Sequence, residues 1–222
     1  MRDEFVLLLP AIFREPRVYP RGPRGPRPRR PAWILVPYDR LTDEQWTILS
    51  IYLPMPTRGR PCDQRARMDA IFRVAATEGA WHELPRAYGN GESVARHFRR
   101  LTHAGVWERL LVALAASPPG SVLRQMEGLI CRAARRAIRI RGIALIALAR
   151  RLDLLRALPG PPFMVPDPDL SEIIRRMPLA RHFARWRQDV PGTLELVRAL
   201  RRLHTLAGGR RRIPREVREA WL

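Results

Sequence analysis

The sequence predicts an all-α protein. Three observations carry that reading. Apolar residues after residue 41 recur at helical spacing, as a helix with one buried face requires. Capping residues, glycines and prolines fall at the ends of those runs. No stretch of 41–118 alternates apolar and polar residues with the period of two that a half-buried strand needs, and the remainder has no strand-rich pattern. Three segments follow: a disordered basic arm over 1–40, a helix–turn–helix-like domain over 41–118, and a helical extension of unassigned role over 119–222.

The arm holds a proline–arginine tract from Tyr19 to Pro31. Its prolines fix an extended backbone and its arginines repel one another, so it builds no core. It reads either as a strand of positive charge along phosphates or as a solvated tail. Thr42-Asp43-Glu44-Gln45 is a capping box that opens the first helix, with Trp46, Leu49, Tyr52 and Leu53 on one face. Pro54 and Pro56 end it, and Thr57-Arg58-Gly59-Arg60-Pro61 is a basic loop.

A second helix starts near Asp63, with Met68, Ile71, Phe72 and Ala75 as its buried stripe. Gly79 stands where a left-handed residue closes a helix. Trp81, Leu84 and Pro85 form a turn whose indole is expected on that stripe, and Gly89-Asn90-Gly91 reads as a tight turn. Ser93 is the expected N-cap of a third helix, with Val94, Phe98 and Leu101 inward. Arg96, His97, Arg99, Arg100 and His103 are left for its outer face. Gly105 breaks that helix, Val106, Leu110, Leu111 and Leu114 carry a fourth, and Pro118-Pro119 end it. Residues 121–155 hold two helical patterns with a break at Gly142. A proline-rich connector runs from Pro159 to Pro168. Helices are expected near 169–177, 179–188 and 192–206, with a basic turn at 208–212 and a last short helix opened by Pro214.

Charge bounds the partner. The chain has 222 residues, with 41 Lys+Arg against 21 Asp+Glu, a formal net charge of +20. It contains no lysine. Codon bias in a GC-rich genome explains arginine in place of lysine, but not a twofold excess of base over acid. An anionic partner, most simply a nucleic-acid backbone, accounts for the excess. Cys62 and Cys131 are far apart and form no metal-ligand or disulfide pattern, so they read as free thiols in a reducing cytoplasm. The apolar stretch Phe5–Phe13 is broken by Pro10 and wrongly flanked for a secretory signal. The run from Gly142 to Ala149 is too short to span a bilayer. The expected setting is cytoplasmic and nucleoid-associated, with no stable membrane insertion.

The third helix is the candidate for recognition. A helix fits the major groove, and arginine meets either guanine edges or phosphates. Ser93, Arg96, His97, Arg99, Arg100 and His103 are its candidate residues, with Arg58 and Arg60 as loop contacts to the backbone. Arg132, Arg135, Arg136 and Arg139 recur at i, i+3, i+4 and i+7 as a secondary basic stripe. That stripe suits an extended DNA surface, anionic lipid, or plain solvation. Trp46, Trp81, Phe98 and Trp107 resemble stacking platforms in type, but their positions favour core packing. The five histidines show no metal-ligand spacing, and neither a phosphate-binding loop nor a serine-nucleophile motif occurs. No cofactor is expected.

Leu41-Thr42-Asp43-Glu44-Gln45-Trp46, Arg58-Gly59-Arg60-Pro61, Asp69-Ala70-Ile71 and the series from Trp81 through Tyr88-Gly89 and Arg96–Leu101 to Gly105–Leu110 occur in a fixed order. As a set they resemble the N-terminal helix–turn–helix DNA-binding domain of bacterial insertion-element transposases of the DDE type, the IS-five-like group. The resemblance covers about residues 41–116. It implies double-stranded DNA as partner, with a transposase catalytic subunit or a second copy of the chain as further partners. In full transposases of this type, an RNase H-like domain follows and carries three acidic metal ligands. Here the place of the first reads Gln125-Met126-Glu127-Gly128, and Glu127 is at best a substitute. No second aspartate follows in an apolar run, and the residues that remain are too few for that domain. The expectation is a transposase-related, non-catalytic DNA-binding protein. The alternatives are an active or partner-assisted transposase and a decayed or interaction module without DNA affinity.

Overall fold

The computed structural model describes residues 38–55, 63–184 and 186–221. Among them every regular element is helical. The α-helices are α1 (Asp43–Ser50), α2 (Gln64–Thr77), α3 (Gly91–His103), α4 (Val106–Ala116), α5 (Val122–Gln125), α6 (Glu127–Arg141), α7 (Ile143–Arg151), α8 (Pro168–Arg176), α9 (Ala180–Ala184), α10 (Val190–Gly208) and α11 (Arg215–Ala220). Single 3-10 turns occupy Trp81–Glu83, Arg86–Tyr88, Leu155–Ala157 and Pro162–Met164. The all-α reading holds for these residues. Of the expected arm over 1–40, residues 1–37 lie outside them, as does the basic loop with Arg58 and Arg60, whereas Tyr38 is buried in the core.

The first helices start where their caps say. The Thr42 hydroxyl accepts from the Gln45 N–H, and the Gln45 side chain accepts from the Thr42 N–H, both at 3.2 Å, so the capping box at α1 is complete. Asp63 caps α2 by accepting from Ala66 at 2.9 Å. Asp69, buried in mid-α2, accepts from the Tyr38 hydroxyl and the Leu41 N–H, each at 2.8 Å, and so straps the entering chain to the helix. That hydrogen bond and the burial of the ring both raise the Tyr38 phenol far above its ordinary value, burial being the larger cause.

Two local expectations are corrected. The left-handed residue after α2 is Glu78 (φ 48°), not Gly79. Glu78 reaches the Arg135 guanidinium at 3.1 Å from that position, and the ion pair helps hold a conformation that glycine would adopt more easily. The N-cap of α3 is Asn90, not Ser93: its side chain accepts from Glu92 at 2.9 Å and Ser93 at 3.2 Å. The helix begins earlier because Gly91 lies under the Trp81 carbonyl, where a Cβ would stand 1.9 Å from the oxygen.

Between α2 and α3 the chain runs from Glu78 to Asn90 through two 3-10 turns. This is much longer than the three- to four-residue turn of a tight helix–turn–helix. The tight junction lies instead between α3 and α4, at Ala104 and left-handed Gly105 (φ 71°).

The core gathers around α6, which packs against α2, α3 and α4. Its inward face is Ile130, Cys131, Ala133, Ala134, Ala137 and Ile138. Alanines there leave room for neighbouring backbones to approach closely. Burial pushes the Cys131 thiol up to about 11, so it is an inert core residue. Trp107 is fully buried, edge-on to Phe72 (6.5 Å between centroids) and tilted against Phe98 (5.3 Å). Its Nε1–H donates to Thr102 Oγ1 at 2.9 Å, and that hydroxyl donates to the Phe98 carbonyl at 2.8 Å. Trp81 meets Phe98 at 5.2 Å, so the indole finds α3. Trp46 and Trp81 are partly buried against the core. One buried cluster extends from Tyr38 to Val165, so the packing does not break at residue 118.

Beyond α7, Arg150 organises the proline connector. Its guanidinium reaches Asp167 at 3.1 Å and donates to the carbonyls of Pro166 (3.0 Å), Val165 (2.7 Å) and Pro162. Gly142 (φ 61°) makes the α6–α7 break where the sequence places it. Helices α8 and α10 pack on each other, with Ile174 and Ala207 inward.

Candidate nucleic-acid interface

Helix α3 separates its residues sharply. Val94, Ala95, Phe98 and Leu101 are buried, whereas Arg96, Arg99, Arg100 and His103 are exposed. The exposed face borders an open cleft of about 500 Å3 lined by Arg67, Ser93, Arg96, Arg99 and Arg100. Arg67 comes from α2, and the other four come from α3. The α2–α3 connection, pinned by Gly91 beneath Trp81, brings the two helices together on this side.

His97 does not belong to the exposed set, which corrects the sequence reading. It is 8% exposed, and its Nε2 is buried without a hydrogen-bond partner. Its Nδ1 lies 3.5 Å from an Arg100 nitrogen. Position 97 follows Ser93 and Val94 by one turn, at the edge of the apolar stripe, and the approach of α2 covers it. Burial lowers its pKa to about 4, and the Arg67 and Arg100 charges add to the effect. At neutral pH it is an uncharged neighbour of Arg67 and Arg100.

The charge of this cluster is uncommitted, in contrast to several arginines elsewhere among the described residues. Arg65 pairs with Asp43, Arg124 with Glu127, Arg141 with Glu108, Arg151 with Asp169, and Arg175 and Arg176 with Glu172. Arg109 donates to the carbonyls of Ala104 (2.8 Å) and Tyr52 (3.2 Å). Among the described residues no carboxylate lies within 4.0 Å of Arg67, Arg96, Arg99 or Arg100. Guanidiniums gathered on one cleft without counter-charge favour an anion, and their planar forks match phosphate oxygens two at a time.

The secondary stripe on α6 is not a continuous exposed surface, a second correction. Arg135 is half-buried and donates to Glu78, to the Trp221 carbonyl (3.0 Å) and to the Arg156 carbonyl. Arg136 donates to the Gly79 carbonyl at 2.9 Å and lies over the Trp81 ring at 4.5 Å, a cation–π contact. Arg132 is half-buried near Glu78, and burial pulls its guanidinium below the ordinary value. Arg139 alone of the four is exposed. The reason is the packing: the end of α2 and the Trp81 turn close over the polar side of α6. The stripe's charge then holds the carbonyl end of α2, where cations are favoured.

Glu127 accepts from Arg124 at 3.3 Å in the first turn of α6. Among the described residues no three His, Cys, Asp or Glu side chains converge as metal ligands. No helix there is long and apolar enough to cross a membrane.

Sequence reasoning missed Arg67. A signal existed: it stands one turn before Ile71, at the border of the α2 apolar stripe, where a long cation reaches the rim of the next helix. Periodicity alone did not say which helix that would be.

Residues 41–111 match the family model described as "Putative transposase of IS4/5 family (DUF4096)". The match takes in α1 to α3 and most of α4, and therefore all five cleft residues. The chain is 35% identical over 85 residues to "Insertion element IS402 uncharacterized 16.2 kDa protein" of Burkholderia cepacia, covering 34% of this chain and 58% of that protein. It is 31% identical over 80 residues to "Uncharacterized protein y4sN" of Sinorhizobium fredii, covering 35% of this chain and 64% of that one. The chain thus spans about three-fifths of the length of these curated relatives. No solved structure matches it. The resemblance to the N-terminal domain of insertion-element transposases stands, and the transposase-related segment is the part of the fold that carries the arginine cleft.

Proposed function

We propose that this chain binds double-stranded DNA through the exposed face of α3 and the adjoining edge of α2, as a transposase-related protein of the insertion-element type. The observation that carries the reading is the cleft in which Arg67, Arg96, Arg99 and Arg100 converge without acidic partners. The transposase relatedness of residues 41–111 supports the same partner. Helix α3 takes the place of a recognition helix, reached here by a long connection instead of a tight turn. Arg58 and Arg60 add backbone contacts, and the working compartment is the nucleoid of the cytoplasm. In this reading strand cleavage belongs to a separate catalytic subunit or is absent; Glu127, at best a substitute for the first acidic ligand, pairs with Arg124.

Salt dependence tests the proposal. Each phosphate neutralised contributes about 0.9 to the fall of log K with log salt. Changing Arg96, Arg99 and Arg100 together to alanine is expected to reduce the slope by up to about 2.7 for three contacts. An unchanged slope and affinity in that triple variant would remove α3 from the interface. Magnesium-dependent cutting of DNA by the chain alone, lost in Glu127→Gln, would overturn the non-catalytic assignment.

A further inference from the structure

The cleft is not symmetric about α3. Successive residues of an α-helix are about 100° apart, so Ser93 and Arg100 project within about 20° of each other. His97 lies on their side of the helix, and the charges acting on it are those of Arg67 and Arg100. Arg67, Ser93 and Arg100 therefore occupy the side of the cleft nearest α2. Arg96 and His103 also share a direction, within about 20°, and Arg99 lies about 60° further from α2 than Arg96. The exposed face thus divides into an inner group that includes a residue from another helix and an outer group on the open ridge of α3.

The inner group has the chemistry of a phosphate site. Arg67 and Arg100 supply planar donors from two helices, and Ser93 supplies a hydroxyl on the rim. His97 beside them is uncharged at neutral pH and adds no third cation to repel the others. Two guanidiniums held together without a carboxylate repel each other, and a bound dianionic or monoanionic phosphate removes that repulsion. Arg67 stands in the first turn of α2, a helix packed into the core, so its backbone offers a fixed reference point. Contacts to phosphates set register, whereas contacts to base edges set sequence preference.

We propose that Arg67, Ser93 and Arg100 form a seat for one phosphate of the DNA backbone, which fixes the register of α3 so that Arg96, Arg99 and His103 face the groove. This rests on the duplex-binding reading above and adds to it a division of labour that includes Arg67.

The test uses the full chain, a panel of duplexes of differing sequence and, separately, inorganic phosphate. Arg67→Ala is expected to weaken binding to every duplex by the same factor and to lower the salt slope by about 0.9. Arg67→Lys should restore most of the slope, because it keeps the charge. Arg96→Ala should instead reorder the duplexes by affinity. In free protein, NMR titration with phosphate should shift the Arg67 and Arg100 side-chain signals and the Ser93 amide, and these shifts should vanish in Arg67→Ala. Wild-type protein that binds duplexes while Arg67→Ala keeps the full slope would overturn the seat and leave duplex binding standing. So would Arg67→Ala reordering the duplexes. Wild-type protein with no duplex affinity would overturn the functional reading. Phosphate shifts absent from Arg67 and Arg100 would then overturn the seat on its own terms. Coincident thermal melting of the variants and wild type confirms that the fold is retained.

Discussion

His97 gives the most quantitative handle on the site. Its imidazole titrates at about 4 in the folded protein against an ordinary 6.5, first because it is buried and then because Arg67 and Arg100 stand near it. A base with a lowered folded pKa leaves the unfolded chain holding the extra proton between these two values. Stability therefore rises with pH across that window, is lost as pH falls from 6.5 towards 4, and levels off below. The whole effect is about 3 kcal/mol, and about 2 kcal/mol of it falls between pH 7 and pH 5. Other groups also titrate there, so the measurement is a difference. Denaturant midpoints for wild type and His97→Gln at pH 7 and pH 5 should converge or cross as pH falls, with wild type losing about 2 kcal/mol more than the variant. Parallel pH dependences would show that His97 is not buried beside the arginines, and the inner half of the cleft would lose its geometry. An anion in the cleft offsets Arg67 and Arg100, so saturating duplex should raise the His97 pKa and reduce the acid loss.

Three further outcomes follow from the packing. Gly91→Ala puts a Cβ 1.9 Å from the Trp81 carbonyl. It should cost about 2–3 kcal/mol and change Trp81 fluorescence as the indole leaves Phe98; an unaltered spectrum and stability would contradict the close approach. Thr102→Val leaves the fully buried Trp107 Nε1–H without its acceptor and should lower stability by about 1–3 kcal/mol in urea titrations. Arg135→Met removes the guanidinium that joins Glu78 to the Trp221 and Arg156 carbonyls. About 2–3 kcal/mol should be lost in thermal or denaturant unfolding, with duplex binding at low salt unaffected; a binding defect without a stability defect would return Arg135 to the interface.

The helices near the start of the fold were legible because their signals are local. The Thr42–Gln45 box and the Asp63 cap each involve residues three apart, and the structure realises both. Pro118 and Gly142 stop helices through their own backbone chemistry. The two misplaced termini, at Glu78 and Asn90, are also instructive. Glu78 takes the left-handed position with support from Arg135 on a distant helix, and Asn90 rather than Ser93 caps α3 because Trp81 stands over Gly91. Neither partner is within a helical turn, so neither enters a local pattern.

Among the arginines the sequence could mark polar faces but not say what would face them. Arg96, Arg99, Arg100 and His103 are exposed as their spacing implies. The same logic applied to Arg132, Arg135, Arg136 and Arg139 gave a continuous stripe, which the end of α2 and the Trp81 turn cover. His97 and Arg67 are the matching pair of surprises: one is drawn under α2, and the other is brought to the rim from it.

The sequence by itself determined the helical class, most helix ends, an excess of positive charge and the resemblance of about residues 41–116 to the N-terminal domain of insertion-element transposases, because each depends on composition or on residues near in the chain. Tertiary structure alone decided which of the arginines keep their charge for a partner. A guanidinium is committed or free according to the carboxylates and carbonyls that distant helices bring within about 3 Å of it, and no periodicity records that meeting.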